Sequence, residues 1–318
     1  MIVDNSTQQT KTTKKEHRFR DGIFRTLVSV VFLYILGTIL AGSIDYGLTP
    51  VTENSPEWET IVKYFYFIAF WVFILLAVLL VKRHRPFLKK LGPKSGNTLK
   101  LSALGALLGF GMNALCILFA WLNKDISLTF KGGAAGMFIL AFLAVMIQSG
   151  AEEITCRMYI FQRLKMTYPL CIVSIIMSSL LFAAAHLVNN GINVLAIVNI
   201  FIIGVFYALI IYYFDALWFT ILHHTVWNFT QNIVFGLPNS GQTTALHIFE
   251  LDNSLVSNSF FYDAAFGVEK TYFVLVEFLL AIGVVIFIGE KRRAKGILPK
   301  ALEKAEAAAE QQPDAETA

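Results

Sequence analysis

The chain has 318 residues, 56% of them hydrophobic and only 15% charged, with a formal net charge of +4; its mean hydropathy is +0.61. This composition excludes a soluble domain of ordinary make-up and points to an all-α, polytopic membrane helical bundle. The Lys and Arg sit in short clusters beside apolar segments, where they act as topology signals, and no nucleic-acid motif accompanies them, so no nucleic-acid partner is expected.

In chain order, apolar runs predict about eight transmembrane spans, near 23–44, 62–81, 101–122, 133–165, 169–187, 192–214, 216–236 and 271–289. The first follows a polar, basic tail (residues 1–22) and is too long for the apolar core of a signal peptide, so it is read as an uncleaved span. Lys11, Lys14, Lys15, Arg18, Arg20 and Arg25 precede span one; Lys82, Arg83, Arg85, Lys89 and Lys90 follow span two; Arg163 and Lys165 follow span four; and Lys291, Arg292, Arg293 and Lys295 follow span eight. With alternating spans all of these fall on one side, which the positive-inside rule makes cytoplasmic together with both termini. Asp45, Glu53, Glu57, Glu59, Glu250, Asp252 and Asp263 fall on the other side. The bundle is expected over 23–290, in a plasma membrane, with a solvated or disordered tail over 291–318. Span four is long and changes character at Gln148-Ser149-Gly150, which allows either one tilted helix or a helix broken near Gly150. The three cysteines, Cys116, Cys156 and Cys171, imply neither a disulfide framework nor a CxxC metal site.

Three stretches place ionisable groups inside apolar segments: Glu152-Glu153 with Arg157, His186, and His224 with Asn228. Each such group costs about 2.5 to 3.5 kcal/mol on insertion scales and normally faces the bundle interior, paired. On a helix Glu153 and Arg157 share a face, while Glu152 points about 100 degrees away with Gln148, Thr155 and Tyr159. Glu153 is therefore expected to be neutralised by Arg157, leaving Glu152 free for a cavity. His186 shares a face with Phe182, and Asn228 with His224; Gln231 and Asn232 extend that polar stripe, whereas His223 points away with Trp227 as a bystander. His17, His84 and His247 lie outside the spans and are read as surface residues. At about 1.5 Å per residue, Glu152, His186 and His224 lie about 20, 26 and 14 Å from the cytoplasmic ends of their spans, so convergence requires tilt, a break or a shifted boundary.

A carboxylate and two imidazoles suit two chemistries. Glu and His can activate a water against a carbonyl while the second His and Asn stabilise the oxyanion. Alternatively Glu152, His186 and His224 are three ligands of a catalytic zinc. No HExxH, GxSxG or Walker A sequence is present.

The chain resembles the CPBP (CAAX protease and bacteriocin-processing, or Abi) family of intramembrane endopeptidases over about residues 140–235. EExxxR appears as Glu152 to Arg157, FxxxH as Phe182 to His186 and HxxxN as His224 to Asn228. Cys156 and Met158 stand where the family often has an aromatic residue and Gly around the Arg. The resemblance implies that Glu152 and His186 activate water, that His224 and Asn228 stabilise the oxyanion, and that Glu153 and Arg157 support the site. It implies a peptide or membrane-protein substrate, such as a prenylated CAAX-like tail or a pheromone or bacteriocin leader, and it leaves zinc open. Two other functions suit the same polar groups: a non-catalytic immunity or scaffold protein of this fold, and a proton-coupled transporter using Glu152, His186 and His224 as a relay.

Overall fold

Long runs of Leu, Ile, Val and Phe can cross hydrocarbon as helices, because a helix pairs its backbone groups internally. A computed structural model of the chain describes residues 21–93 and 96–297. The basic residues up to Arg20, with His17, and the tail from residue 298 lie outside the described residues.

Helix α1 spans Ile23–Thr52. Helices α2 (Pro56–Phe65) and α3 (Ile68–Leu80) form one span, opened by the Ser55 hydroxyl, which accepts from the Trp58 amide, with Pro56 in the first turn. A 3₁₀ segment, Lys82–Lys90, precedes α4 (Leu99–Leu122). After strand β1 (Leu128–Phe130), α5 (Ala135–Glu153) runs through a π-helical stretch, Ile154–Ile160, into α6 (Phe161–Thr167). Helix α7 covers Cys171–Ala184 and α8 Val194–Phe214; α9 (Leu217–Asn228) continues as a second π-helical stretch, Phe229–Val234. A long loop carrying strand β2 (Phe249–Leu251) leads to α10 (Tyr272–Arg293). The strands pair antiparallel, Leu128 opposite Leu251 and Phe130 opposite Phe249, tying the long loop to the α4–α5 connection.

The result is a helical polytopic bundle, but the expected eight spans are not all present at full length. Among the described residues six helical segments are long and apolar enough to cross a membrane: Ile23–Thr52, Pro56–Leu80, Leu99–Leu122, Ala135–Thr167, Val194–Phe214 and Tyr272–Arg293. The segment read as 169–187 forms only the 14-residue α7, about 21 Å long at 1.5 Å per residue against a core of about 30 Å. The segment read as 216–236 is the 12-residue α9 and its π-helical continuation, which carry His223, His224, Asn228, Gln231 and Asn232. Span four is helical throughout, and its irregularity is the π stretch after Glu153 rather than a break at Gly150.

Small residues set how closely α9 is held. A Cβ on Gly105 would lie 2.5 Å from the Phe219 carbonyl oxygen, and one on Gly109 would lie 2.3 Å from that of His223. This Gly-xxx-Gly face lets α4 lie directly against the α9 backbone.

At the basic end, Asp21 joins three segments, α1, the 3₁₀ segment and α6, although nothing in the tail's sequence marks it out, and His84 is buried rather than at the surface. The Asp21 carboxylate lies 2.7 Å from Arg83 Nε, 3.0 Å from His84 Nε2 and 3.1 Å from Arg163 Nε. Its carbonyl accepts from the Thr26 and Thr167 hydroxyls. Burial pushes the Asp21 carboxyl up, but hydrogen bonds from His84 and Arg83 and the nearby His84 and Arg163 charges outweigh it and hold it at about 2.

A carboxyl depressed below its ordinary 3.8 contributes stability above that value, and the contribution is lost as pH falls towards about 2. Asp21→Asn should destabilise the detergent-solubilised protein by about 3 kcal/mol at neutral pH, because buried cations lose their counter-charge. The deficit should shrink in thermal unfolding scans as the buffer is taken down towards pH 2. Equal midpoints for the two proteins at neutral pH would show that the cluster does not hold these segments together.

Candidate active site

The centre of the site is an ion pair with no exposed surface. Arg157 Nε lies 3.2 Å from Glu153 Oε2, and both side chains are 0% exposed. Arg157 Nη2 donates to the Gly204 carbonyl at 3.2 Å. The guanidinium lies over two rings, 4.6 Å from the Phe182 centroid and 5.3 Å from that of Tyr207. The pair therefore joins the π stretch, α7 and α8. The Thr155 hydroxyl donates to the Ala151 carbonyl at the junction where the α turn gives way to the π turn.

Phe182 also fixes the histidine of its own motif. His186 lies two residues beyond the end of α7, in a turn closed by its amide donating to the Ala183 carbonyl. Its Nδ1 is 2.9 Å from the Phe182 carbonyl oxygen. A carbonyl only accepts, so Nδ1 carries the proton and the neutral ring keeps a lone pair on Nε2.

His224 sits between the two glutamates. Its Nδ1 is 3.3 Å from Glu153 Oε1 and its Nε2 is 3.9 Å from Glu152 Oε2. Tyr207 stacks on its ring at 5.7 Å and Phe182 meets it edge-on at 5.9 Å. Glu153 thus pairs with Arg157 and also orients the imidazole. Glu152 Oε1 accepts from Gln148 Nε2, whereas the buried Oε2 has no hydrogen-bond partner among the described residues. Gln148 in turn accepts from Asn228 Nδ2 at 3.3 Å, so one carboxamide links Glu152 to Asn228. Asn228 Nδ2 also donates to Ser149 Oγ at 3.3 Å.

His186, His224 and Asn228 share one small cleft, whose walls include Tyr207, Trp227, Ser240 and Glu269. Glu152 lies outside that wall and reaches it through His224 and the Gln148 bridge. The depth differences of the linear count are absorbed by the short α7, which delivers His186 from its end, and by α9, whose last residue is Asn228. Among the described residues, no group of three or more His, Cys, Asp or Glu side chains is gathered closely enough to hold a metal ion.

His223 faces away, its Nδ1 3.0 Å from the Tyr207 hydroxyl and its ring stacked on Trp227. Gln231 and Asn232 do not extend the cleft; their amides donate to the Pro238 and Leu237 carbonyls and hold the long loop. Sequence reasoning missed that loop's contribution. Asn239 Nδ2 donates to Asn228 Oδ1 at 3.2 Å and to Glu269 Oε1 at 2.8 Å. Glu269 also accepts from Trp227 Nε1 at 3.1 Å and from the Ser240 amide and hydroxyl. Burial pushes the Glu269 carboxyl above its ordinary value, opposed by the hydrogen bonds from Ser240 and Trp227. Only an acidic residue immediately ahead of the last apolar run signals it in the sequence, and such residues are common at span ends.

No curated protein and no solved structure matches the chain. The model of one family, described as type II CAAX prenyl endopeptidase Rce1-like, matches residues 134–230. That match spans all three motifs, so over residues 134–230 the chain is similar to this family.

Proposed function

We propose that the protein is an endopeptidase that hydrolyses a peptide bond with water activated by Glu152 and His186, while His224 and Asn228 stabilise the oxyanion. The observation that carries this reading is the unpartnered Glu152 Oε2 beside His224, whose ring shares a cleft with His186 and Asn228. An acceptor-only carboxylate oxygen and an imidazole Nε2 with a lone pair can each take one hydrogen of a water, turning an oxygen lone pair towards a carbonyl. On attack, the water proton passes to Glu152, the C–O bond forms, and the carbonyl oxygen becomes an oxyanion facing the His224 ring and the Asn228 carboxamide. Collapse breaks the C–N bond, and the proton held by Glu152 goes to the leaving amine. Glu153 and Arg157 are positioning residues in this scheme: Glu153 holds His224 Nδ1, and Arg157 neutralises Glu153.

The substrate class we infer is a peptide or membrane protein presented from the bilayer: a prenylated CAAX-like tail, a pheromone or bacteriocin leader, or another membrane polypeptide. Aromatic and aliphatic walls, among them Phe182, Ile200, Ile203 and Trp227, suit apolar residues flanking the scissile bond. The plasma membrane is the compartment we assign. Zinc is left open: Nδ1 of His186 is engaged by a backbone carbonyl and Nδ1 of His224 by Glu153, which leaves each Nε2 to face a water or a metal ion.

Comparison of new peptide termini in membranes carrying the intact protein or Glu152→Ala should reveal products that only the intact protein makes. On a peptide spanning a site found in this way, Glu152→Ala and His186→Ala should each lower kcat by at least about 100-fold, with thermal midpoints close to that of the parent. Cleavage that survives both substitutions would sink the protease reading; proton-coupled flux lost in Glu152→Gln would instead favour a transporter, and an unchanged phenotype in Glu152→Ala a scaffold.

A metal requirement would show as loss of the rate with a chelator such as 1,10-phenanthroline and its recovery on adding zinc, with Glu152, His186 and His224 as the ligands. A rate unchanged by the chelator would assign the water activation to Glu152 and His186 without a metal.

A further inference from the structure

Glu269 lies beyond the residues matched by the family and far from Glu152 in the sequence, yet the two carboxylates are joined by one run of side-chain hydrogen bonds. Glu269 Oε1 accepts from Asn239 Nδ2 at 2.8 Å; the same nitrogen donates to Asn228 Oδ1 at 3.2 Å; Asn228 Nδ2 donates to Gln148 Oε1 at 3.3 Å; and Gln148 Nε2 donates to Glu152 Oε1. Glu269 and Asn239 are 4% and 7% exposed, so water does not compete freely for these groups.

The polarity of this run matters more than its length. A carboxamide has an accepting end and a donating end, and only the NH₂ end can serve an oxyanion. Asn228 presents that end to the Gln148 and Ser149 side because its oxygen is already taken by Asn239. Asn239 in turn has its NH₂ end fixed by Glu269. Every group bonded to the Glu269 side chain is a donor: Asn239 and Trp227 at Oε1, the Ser240 amide and hydroxyl at Oε2. The Glu269 backbone is anchored as well, since Asn199 Nδ2 donates to its carbonyl and to that of Thr271, both at 2.8 Å. This anchorage connects the start of α10 to α8, so the carboxylate is carried by the bundle rather than by the loop alone.

We propose that Glu269 is a positioning residue for the oxyanion donor: acting through Asn239 it sets the orientation of the Asn228 carboxamide, and through Ser240 it pins the 237–242 turn against the cleft. This rests on the hydrolytic reading above for its consequence in rate, but not for the strap itself. Glutamine at 269 cannot satisfy the set, because whichever way its amide is turned, an NH₂ group faces donors on one side.

The test uses the full-length protein in detergent micelles with three variants, Glu269→Gln, Asn239→Ala and the pair combined. On a peptide spanning the site identified from the membrane comparison, each single substitution should lower kcat by about 10- to 100-fold while KM moves by less than about 3-fold, the pattern of a misplaced transition-state donor. The double variant should be no slower than the slower single, because both act on one path to Asn228. Amide exchange at Ser240 should rise in Glu269→Gln, an outcome that does not depend on any activity. A raised KM with kcat retained would make Glu269 a substrate contact and overturn the proposal, as would multiplicative losses in the double variant. Unchanged Ser240 exchange overturns it whatever the kinetics show. Cleavage that persists in Glu152→Ala counts against the hydrolytic reading alone, since Ser240 exchange and the thermal coupling of Glu269→Gln with Asn239→Ala still decide whether the strap exists.

Discussion

The Glu153–Arg157 pair is the interaction on which the rest of the structure depends. Two unit charges with no exposed surface are tolerable only when their geometry and remaining hydrogen bonds are satisfied, and removing one partner of such a pair typically costs about 3 to 5 kcal/mol. Three different elements supply partners here, while Arg157 Nη1 has no hydrogen-bond partner among the described residues. The Gly204 carbonyl on α8 takes a guanidinium N–H, Phe182 on α7 and Tyr207 on α8 lie against the cation, and His224 on α9 comes to the free side of the Glu153 carboxylate. Each polar group that follows in the site is placed relative to this pair. Phe182 sits against Arg157 and through its carbonyl fixes His186; Glu153 orients His224; and Glu152, next in sequence to Glu153, is left with an unpartnered oxygen.

Much of this was legible because side-chain spacing on a helix is a local property. The i, i+4 relation of Glu153 and Arg157, the separation of Glu152 from that pair, and the divergence of His223 from His224 all follow from periodicity over a single turn. What spacing does not carry is where an apolar segment stops being an α-helix. Nothing in Ile154–Ile160 or Phe229–Val234 marks a π turn by residue type, yet both directly follow a polar motif. A π turn inserts an extra residue and re-aims all that follows, as often happens at functional sites. A linear depth count assumes one uniform rise and cannot see this, nor that α7 stops at Ala184 and hands His186 to a turn.

Long-range partners escaped for a different reason. Asp21 meets Arg83, His84 and Arg163 from across the chain, and Glu269 meets Asn239 and Trp227 from a loop with no periodicity. Each of these residues looks alone like an ordinary charge at a span boundary. Their pairing depends on how loops fold over helix ends, which is information the local pattern does not contain. The Gly105 and Gly109 face is intermediate: its spacing is a known signature of close helix contact, but the partner, the backbone beneath His223, is visible only in three dimensions.

The short elements explain how a polar cleft can exist inside a bundle of apolar spans. A helix that crosses completely keeps its backbone groups paired and presents only side chains, whereas a helix that ends inside the bundle exposes free carbonyls and amides. Irregular backbone at membrane depth persists where protein covers it or where it lines a cavity. Both conditions hold here: α7 and α9 run from the basic end and finish at the cleft, and the long loop returns its own amides and carbonyls to cover them. Gln231 and Asn232 donate to loop carbonyls, while Ser240 donates its amide to Glu269. The loop thus satisfies groups that water would otherwise have to reach, and it does so with residues that also form the wall of the cleft. Closing the ends of two incomplete spans and holding the polar wall in place are one set of hydrogen bonds, so a change in the loop is transmitted to Asn228 without passing through the hydrocarbon-facing helices.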